Sequence, residues 1–339
     1  MRRTGFASLI FILYILSGCH HGGADNTGSV AGDSTRLRLE NLNRQIAADG
    51  SNAGLYNQRA RFYIGDKQMD MALKDINKAL SLEPGNSSLF ITLSDIYLLM
   101  GQPQNCRENL TKAISLNPKG QEGLLKMAKL LLIMKDYQGC YENIRQLLLI
   151  DKNNFQAYYT RALALLEQGD TNRAIGDLMI SVDQNQDFFD GYIQLGELFA
   201  LHKDPKAASY LKNALHLRPT SKEALYTLGM YYQETEQFGP ALDVYQTLAK
   251  TDTTLRSAPF NMGYINLVYL RDFPKAITFF TDALKRDPAY YEAWFNRGYA
   301  YELSGNYPKA YDDYQKALKI KVNYEKAVTG LNRLDKLRR

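Results

Sequence analysis

The stretch AGLYNQRARFYIGDKQMDMALKDINKALSLEPGN, residues 53–86, decides the fold. Tyr56, Ala60 and Tyr63 recur at helical spacing, and so do Ala72, Ile76 and Ala79 after a short polar break. Residues three and four apart share one helix face, so the stretch reads as two amphipathic helices joined by a turn. Pro84 closes the second helix.

The pattern returns with a period of 34 residues. Phe90, Ser94, Tyr97, Cys106, Leu110, Ala113 and Pro118 repeat it first, then Leu124, Ala128, Leu131, Cys140, Ile144 and Leu147. It continues through Ala162, Gly196, Gly229 and Gly298 in the first helices, and Ala174, Ala207, Ala241 and Ala310 in the second. The units are 53–86, 87–120, 121–154, 155–188, 189–221, 222–255, 256–290 and 291–324. The fifth is one residue short and the seventh one long. Comparing Phe260-Asn261-Met262-Gly263-Tyr264 with Phe295-Asn296-Arg297-Gly298-Tyr299 registers the seventh on Gly263.

Small residues at the two repeated positions let the paired helices approach closely, while Tyr, Phe and Leu fill the remaining gaps. Pro240, Pro274 and Pro308 stand near the starts of second helices, where a missing N–H costs least. One hairpin cannot bury both faces, so the units must stack. Leu37–Ala48 reads as a preceding helix with Leu42 and Ile46 facing the first hairpin, inside a segment 36–52. Residues 325–339 read as a capping helix with Val328, Leu331 and Leu334 as its apolar stripe.

This pattern resembles the tetratricopeptide repeat family over residues 53–324, about 80% of the chain. Lys152, Gln186, Thr253 and Val322 depart from it in replacing the usual proline. The resemblance implies an all-α, right-handed α-solenoid of stacked helical hairpins whose first helices line a concave groove that holds other proteins. It implies that the sixth residue of each unit points into that groove: Gln58, Thr92, Lys126, Thr160, Gln194, Thr227, Asn261 and Asn296. Asn261 and Asn296 match the asparagines that clamp an extended peptide in some members. A wet concave face has to be polar in any case, which is the plainer account of the same row. Beside it run Ile91, Leu125, Tyr159, Ile193, Tyr226, Phe260 and Phe295, with Tyr264 and Tyr299 one turn on. Aromatic area beside hydrogen-bonding groups is the composition of interaction hot spots, although aromatics at these positions also serve the core. The candidate groove therefore centres on Phe260, Tyr264, Phe295 and Tyr299, with Gln194, Thr227, Asn261 and Asn296.

The N-terminus reads as an export signal of residues 1–18. Arg2 and Arg3 precede an apolar run from Phe6 to Leu16, too short to span a bilayer, which needs roughly 20 helical residues. Leu16-Ser17-Gly18-Cys19 resembles the bacterial lipobox. That resemblance implies cleavage before Cys19, acylation of its thiol and a stable membrane anchor, since several acyl chains hold where one does not. Residues 19–35 lack periodicity and read as a flexible tether with a reach of roughly 20–24 Å. The adjacent His20 and His21 lack further ligands, so no metal site is expected there.

Net charge is +5 and falls to +3 once Arg2 and Arg3 are removed, too weak and dispersed for nucleic acid. His202 and His216 stand in no catalytic or metal-ligand motif, and Asp282 and Asp312-Asp313 read as ordinary polar faces. Cys106 and Cys140, at one repeat position, are expected to be buried free thiols, because stacked equivalents lie about 8–10 Å apart. No catalytic constellation, cofactor motif or small-molecule site stands out. The expected function is a membrane-anchored scaffold for protein partners, facing the periplasm from a bacterial outer membrane. A glycan-binding lipoprotein is the alternative, and an enzyme a more remote one.

Overall fold

The computed structural model describes residues 30–337, with side chains from residue 36. The signal, the lipobox with Cys19, and His20 and His21 lie outside the described residues. Among the described residues every regular element is helical, as the repeat predicts. The chain divides between Asn185 and Gln186 into two compact units.

In the N-terminal unit, α1 (Val30–Ala48) precedes four hairpins. These are α2 (Ala53–Gly65) with α3 (Met69–Leu82), α4 (Ser87–Leu99) with α5 (Pro103–Leu116), α6 (Gln121–Ile133) with α7 (Tyr137–Ile150), and α8 (Phe155–Glu167) with α9 (Thr171–Gln184). Helix α1 starts at Val30, so the last residues of the expected tether are helical. Leu42 is buried, while Ile46 is only partly covered.

The C-terminal unit holds α10 (Phe189–Leu201) with α11 (Lys206–Leu217), α12 (Lys222–Glu234) with α13 (Phe238–Thr251), α14 (Ser257–Ile265) with α15 (Phe273–Arg286), and α16 (Tyr291–Leu303) with α17 (Tyr307–Ile320). The capping helix α18 (Glu325–Leu337) follows. Its buried stripe is Ala327, Gly330 and Leu334. The expected Val328 is 40% exposed, because one residue is a rotation of about 100° on a helix.

The core of each hairpin is the contact between the small residue of its first helix and the large residue of its second. In the N-terminal unit Ala60, Ser94, Ala128 and Ala162 accompany the aliphatic Ile76, Leu110, Ile144 and Leu178, all buried. In the C-terminal unit the second-helix residues are Leu211, Tyr245, Phe280 and Tyr314, and every first helix answers with glycine. A Cβ on Gly229 would stand 2.6 Å from the Tyr245 ring, and one on Gly263 2.8 Å from Phe280. Tyr314 is held from both sides, since a Cβ on Gly298 or on Gly330 would meet its ring at 3.0 or 2.5 Å.

Each hairpin turns through one left-handed residue after its first helix: Lys67, Gly101, Lys135, Gly169, Lys203, Glu236, Arg271 and Gly305. The next amide then reaches back five residues, as Gln68 N does to Tyr63 O at 2.8 Å, satisfying a helix-end carbonyl. The seventh hairpin differs. Its extra residue is absorbed in a π-helical turn, Asn266–Leu270, and Asp272 N reaches back six residues to Asn266 O, also at 2.8 Å. Gly263 therefore keeps its place against Phe280, and the insertion leaves Val268, Tyr269 and Leu270 about half exposed at the hairpin tip.

Cys106 and Cys140 are buried free thiols, with burial pushing them up to about 11 and about 12. Both fill the small second-helix position otherwise held by alanine.

Gly229→Ala is expected to destabilise the C-terminal unit by about 1–3 kcal/mol, the usual cost of overpacking. Adding Tyr245→Leu should recover part of the loss, because the N-terminal hairpins pair alanine with aliphatic residues. Thermal melts of the three proteins check this; a Gly229→Ala melt equal to that of the unsubstituted chain would refute the contact's importance.

Candidate functional site: the first-helix face

First helices of successive hairpins touch side by side, which brings the ninth residue of one unit to the sixth of the next. Arg61 Nε donates to Thr92 Oγ1 at 3.2 Å, Lys126 Nζ pairs with Asp95 at 2.6 Å, and Asn261 Nδ2 approaches Met230 Sδ at 3.8 Å. A continuous face thus exists within each unit, but the eight expected hydrogen-bonding residues are not one free row. Thr92 and Thr160 are buried, and their hydroxyls donate to Ser88 O and Gln156 O of their own helices. Lys126 is in the ion pair, Gln194 donates to Glu197 at 3.5 Å, and Asn296 Nδ2 donates to Glu292 O at 2.7 Å. Thr227 and Asn261 are partly covered, and Gln58 is exposed.

The accompanying apolar row divides in the same way. Ile91, Leu125 and Ile193 are buried core, Tyr159 is half-buried, and Tyr226 is 39% exposed. Phe260 packs 4.8 Å from Tyr290 and 5.6 Å from Phe280, while Phe295 lies parallel to Tyr299 at 6.3 Å and 5.6 Å from Tyr314. Tyr264 meets Tyr269 edge-on at 6.1 Å. These aromatics are partly buried and already engaged, since stacking hairpins cover the same face that would meet a partner.

The C-terminal end of the face carries a cavity of about 270 Å³ between α16 and α18. Phe295 and Tyr299 line one side and Glu325, Lys326, Thr329 and Arg333 the other. Sequence reasoning placed the first pair at the site but missed the capping helix. Its signal was the Gly330 register, which seats α18 on Tyr314 as a further first helix would sit.

A second feature was also missed. Asp313, expected on a polar face, is 3% exposed and takes both Nε and Nη2 of Arg297, at 2.7 and 2.9 Å. Arg59 with Asp75 and Arg161 with Asp177 form the same two-pronged pair in the first and fourth hairpins. In each, the guanidinium also covers an aromatic three residues earlier: Tyr56, Tyr158 or Trp294. The tip of that ring bonds a carbonyl of the preceding loop, as Trp294 Nε1 does to Pro288 O at 2.8 Å. The legible signal was an arginine followed sixteen residues later by an aspartate, at equivalent places in three units. Elsewhere the arginine position is Leu or Met: Leu93, Met127, Leu195, Leu228 and Met262.

Residues 53–86, 87–119 and 265–325 match models of the tetratricopeptide repeat. The chain carries tetratricopeptide repeats. The general transcriptional corepressor ssn6 of Schizosaccharomyces pombe is 28% identical over 138 residues, which are 40% of this chain and 12% of the corepressor. The chain thus matches only a small part of that relative's length. The Pseudomonas aeruginosa pilF structure is similar at a TM-score of 0.53 and 15% identity, over 60% of this chain and 92% of that one. A tetratricopeptide repeat protein from Parabacteroides merdae aligns at 0.47 and 14% identity, over 73% of this chain and 98% of its own. The repeats give this chain a protein-interaction fold. His202 and His216 are exposed, and among the described residues no group of three or more His, Cys, Asp or Glu is placed to hold a metal ion.

Glu197 is the titratable group of this face that stands out. Burial, reinforced by the charge of Glu223, pushes its carboxyl up to about 7.

Asp313→Ala should cost about 3–5 kcal/mol, because it strands a buried guanidinium. Arg297→Leu with Asp313→Val, the combination at Leu228 and Val244, should cost much less; urea melts of both decide it. For Glu197 the folded carboxyl titrates above its unfolded value of about 4.5. Folding therefore takes up a proton, and this group's contribution to stability falls as pH rises from about 4.5 to about 7. Glu197→Gln should remove that slope and raise the melting temperature at pH 8; an unchanged pH profile would refute the assignment.

Proposed function

We propose that this chain is a lipid-anchored repeat scaffold that holds polypeptide partners within a bacterial envelope complex, at the outer membrane and facing the periplasm. The outer-membrane, secretion, pilus and cell-wall machineries all supply such complexes. The observation that carries the binding role is the continuous first-helix face, with exposed Tyr226 and partly exposed Tyr264 and Tyr299 beside hydrogen-bonding side chains. Rigid aromatic area next to polar groups gives affinity with little conformational entropy to lose. The role is one of binding rather than catalysis, since the arginine–aspartate pairs are occupied in holding hairpins together. The anchor rests on the Leu16–Cys19 sequence. No described helix is long and apolar enough to cross a membrane.

One experiment tests both halves. A photo-crosslinking residue at Tyr226 or Asn261 should capture defined polypeptides in living cells. The same protein should fractionate with membranes and be released by Cys19→Ala. Adducts to glycan alone would sink the scaffold reading, and membrane retention of the Cys19→Ala chain would sink the anchor.

A further inference from the structure

Five exposed large apolar side chains of the C-terminal unit stand at two neighbouring hairpin tips: Val268, Tyr269 and Leu270 in the seventh, Leu303 and Tyr307 in the eighth. The seventh tip is one residue longer than the repeat requires, and its π-helical turn presents three of them in succession. At the same place the sixth hairpin has Glu234-Thr235-Glu236. The Tyr269 ring is braced from behind. It stacks on Phe238 of the sixth hairpin at 4.4 Å and meets Tyr264 edge-on. A tip held in this way loses little conformational freedom when it is covered.

Cations frame the same two tips. Arg271 follows Leu270 directly, and Lys275 and Lys309 stand in the first turns of α15 and α17. Among the described residues the Arg271 guanidinium has no hydrogen bond or ion pair. Lys275 is largely exposed and pairs with Asp272 at 2.8 Å, and Lys309 lies over the Tyr301 ring at 5.4 Å. The two nearby carboxylates are occupied: Asp272 also caps α15, and Glu302 accepts from Arg333 and from the Tyr314 hydroxyl. Glu234 and Glu236 bound the patch on the sixth-hairpin side.

The patch is a pair of projecting turns with no cleft around them, a shape that suits a broad, yielding surface. Its composition is that of a membrane interface. Aliphatic side chains enter the acyl boundary, tyrosine rings settle at the headgroups, and lysine and arginine reach the phosphates.

We propose that the seventh and eighth hairpin tips rest on an anionic phospholipid surface. Val268 and Leu270 enter the acyl boundary, Tyr269 and Tyr307 lie among the headgroups, and Arg271, Lys275 and Lys309 meet the phosphates. The proposal rests on the lipid-anchor reading above and adds a second membrane contact, which turns this edge of the C-terminal unit to the bilayer.

The full-length lipidated protein in vesicles of phosphatidylethanolamine and phosphatidylglycerol tests it. Cys106 and Cys140 are buried and Cys19 is acylated in the anchored protein, so a nitrobenzoxadiazole dye on Leu270→Cys reports that site alone. Lipids carrying a nitroxide high on the acyl chain should quench the dye, and aqueous iodide should not. Adding Val268→Asp and Arg271→Glu should reduce the lipid quenching at least about fivefold with circular dichroism unchanged. Dye on Tyr307→Cys should respond like that on Leu270→Cys, and it leaves the π-helical turn untouched. Iodide quenching of both dyes on protein that floats with the vesicles overturns this inference and leaves the anchor intact. Lipid quenching unchanged by the double substitution overturns it too, as does self-quenching between labelled chains in place of lipid quenching, which assigns the tips to a second copy. Failure of the protein to float with vesicles overturns this inference and the anchor reading together.

Discussion

The closest approach between the two helices of each hairpin is the constraint on which everything else in this chain depends. It is set by one small residue facing one large residue, and the two must be chosen together. Ile76, Ile144 and Leu178 leave room for the Cβ of Ala60, Ala128 and Ala162, whereas Leu211 and the Tyr245, Phe280 and Tyr314 rings leave none. Interiors pack at crystal-like density, so a misfit of even one carbon is felt. Once the hairpin distance is fixed, its two outer faces present constant ridges, and the next hairpin can stack on them. The capping helix uses the same device, with Gly330 closing on the far side of Tyr314.

The irregularities of the chain show how strongly that contact dominates. An added residue in the seventh unit could have displaced Gly263 from Phe280. It is instead pushed to the turn, where a π-helical loop costs less than a misplaced ring. The buried arginine–aspartate pairs tell a related story. They stand where other hairpins place Leu or Met, and they are tolerated because two hydrogen bonds and an aromatic face satisfy each guanidinium. Such pairs bind hairpins through geometry more than through net energy, since the desolvation of two charges offsets much of their attraction.

These packing rules also shape what is left for partners. Stacking consumes most of the apolar residues of the first helices and several of the polar ones, including Thr92 and Thr160. What remains accessible is a subset that includes Gln58 and Tyr226, with Tyr264 and Tyr299 partly exposed.

The sequence by itself determined the hairpins, their number and their register, because helical periodicity and the small-residue positions are local and repeat eightfold. It also determined that Cys106 and Cys140 are buried thiols, since they occupy an alanine position. Only the tertiary structure decided which side chains of the first-helix face are free. Asn296 and Thr160 look equivalent in a repeat alignment, yet one is half-exposed and the other buried, because a neighbour's side chains settle exposure. The same holds for Asp313. Its sequence neighbours are polar, but a partner sixteen residues away in the chain, across the hairpin, turns it into a buried ion pair. Periodicity reports which face a residue is on; contact between elements distant in the chain decides what that face meets.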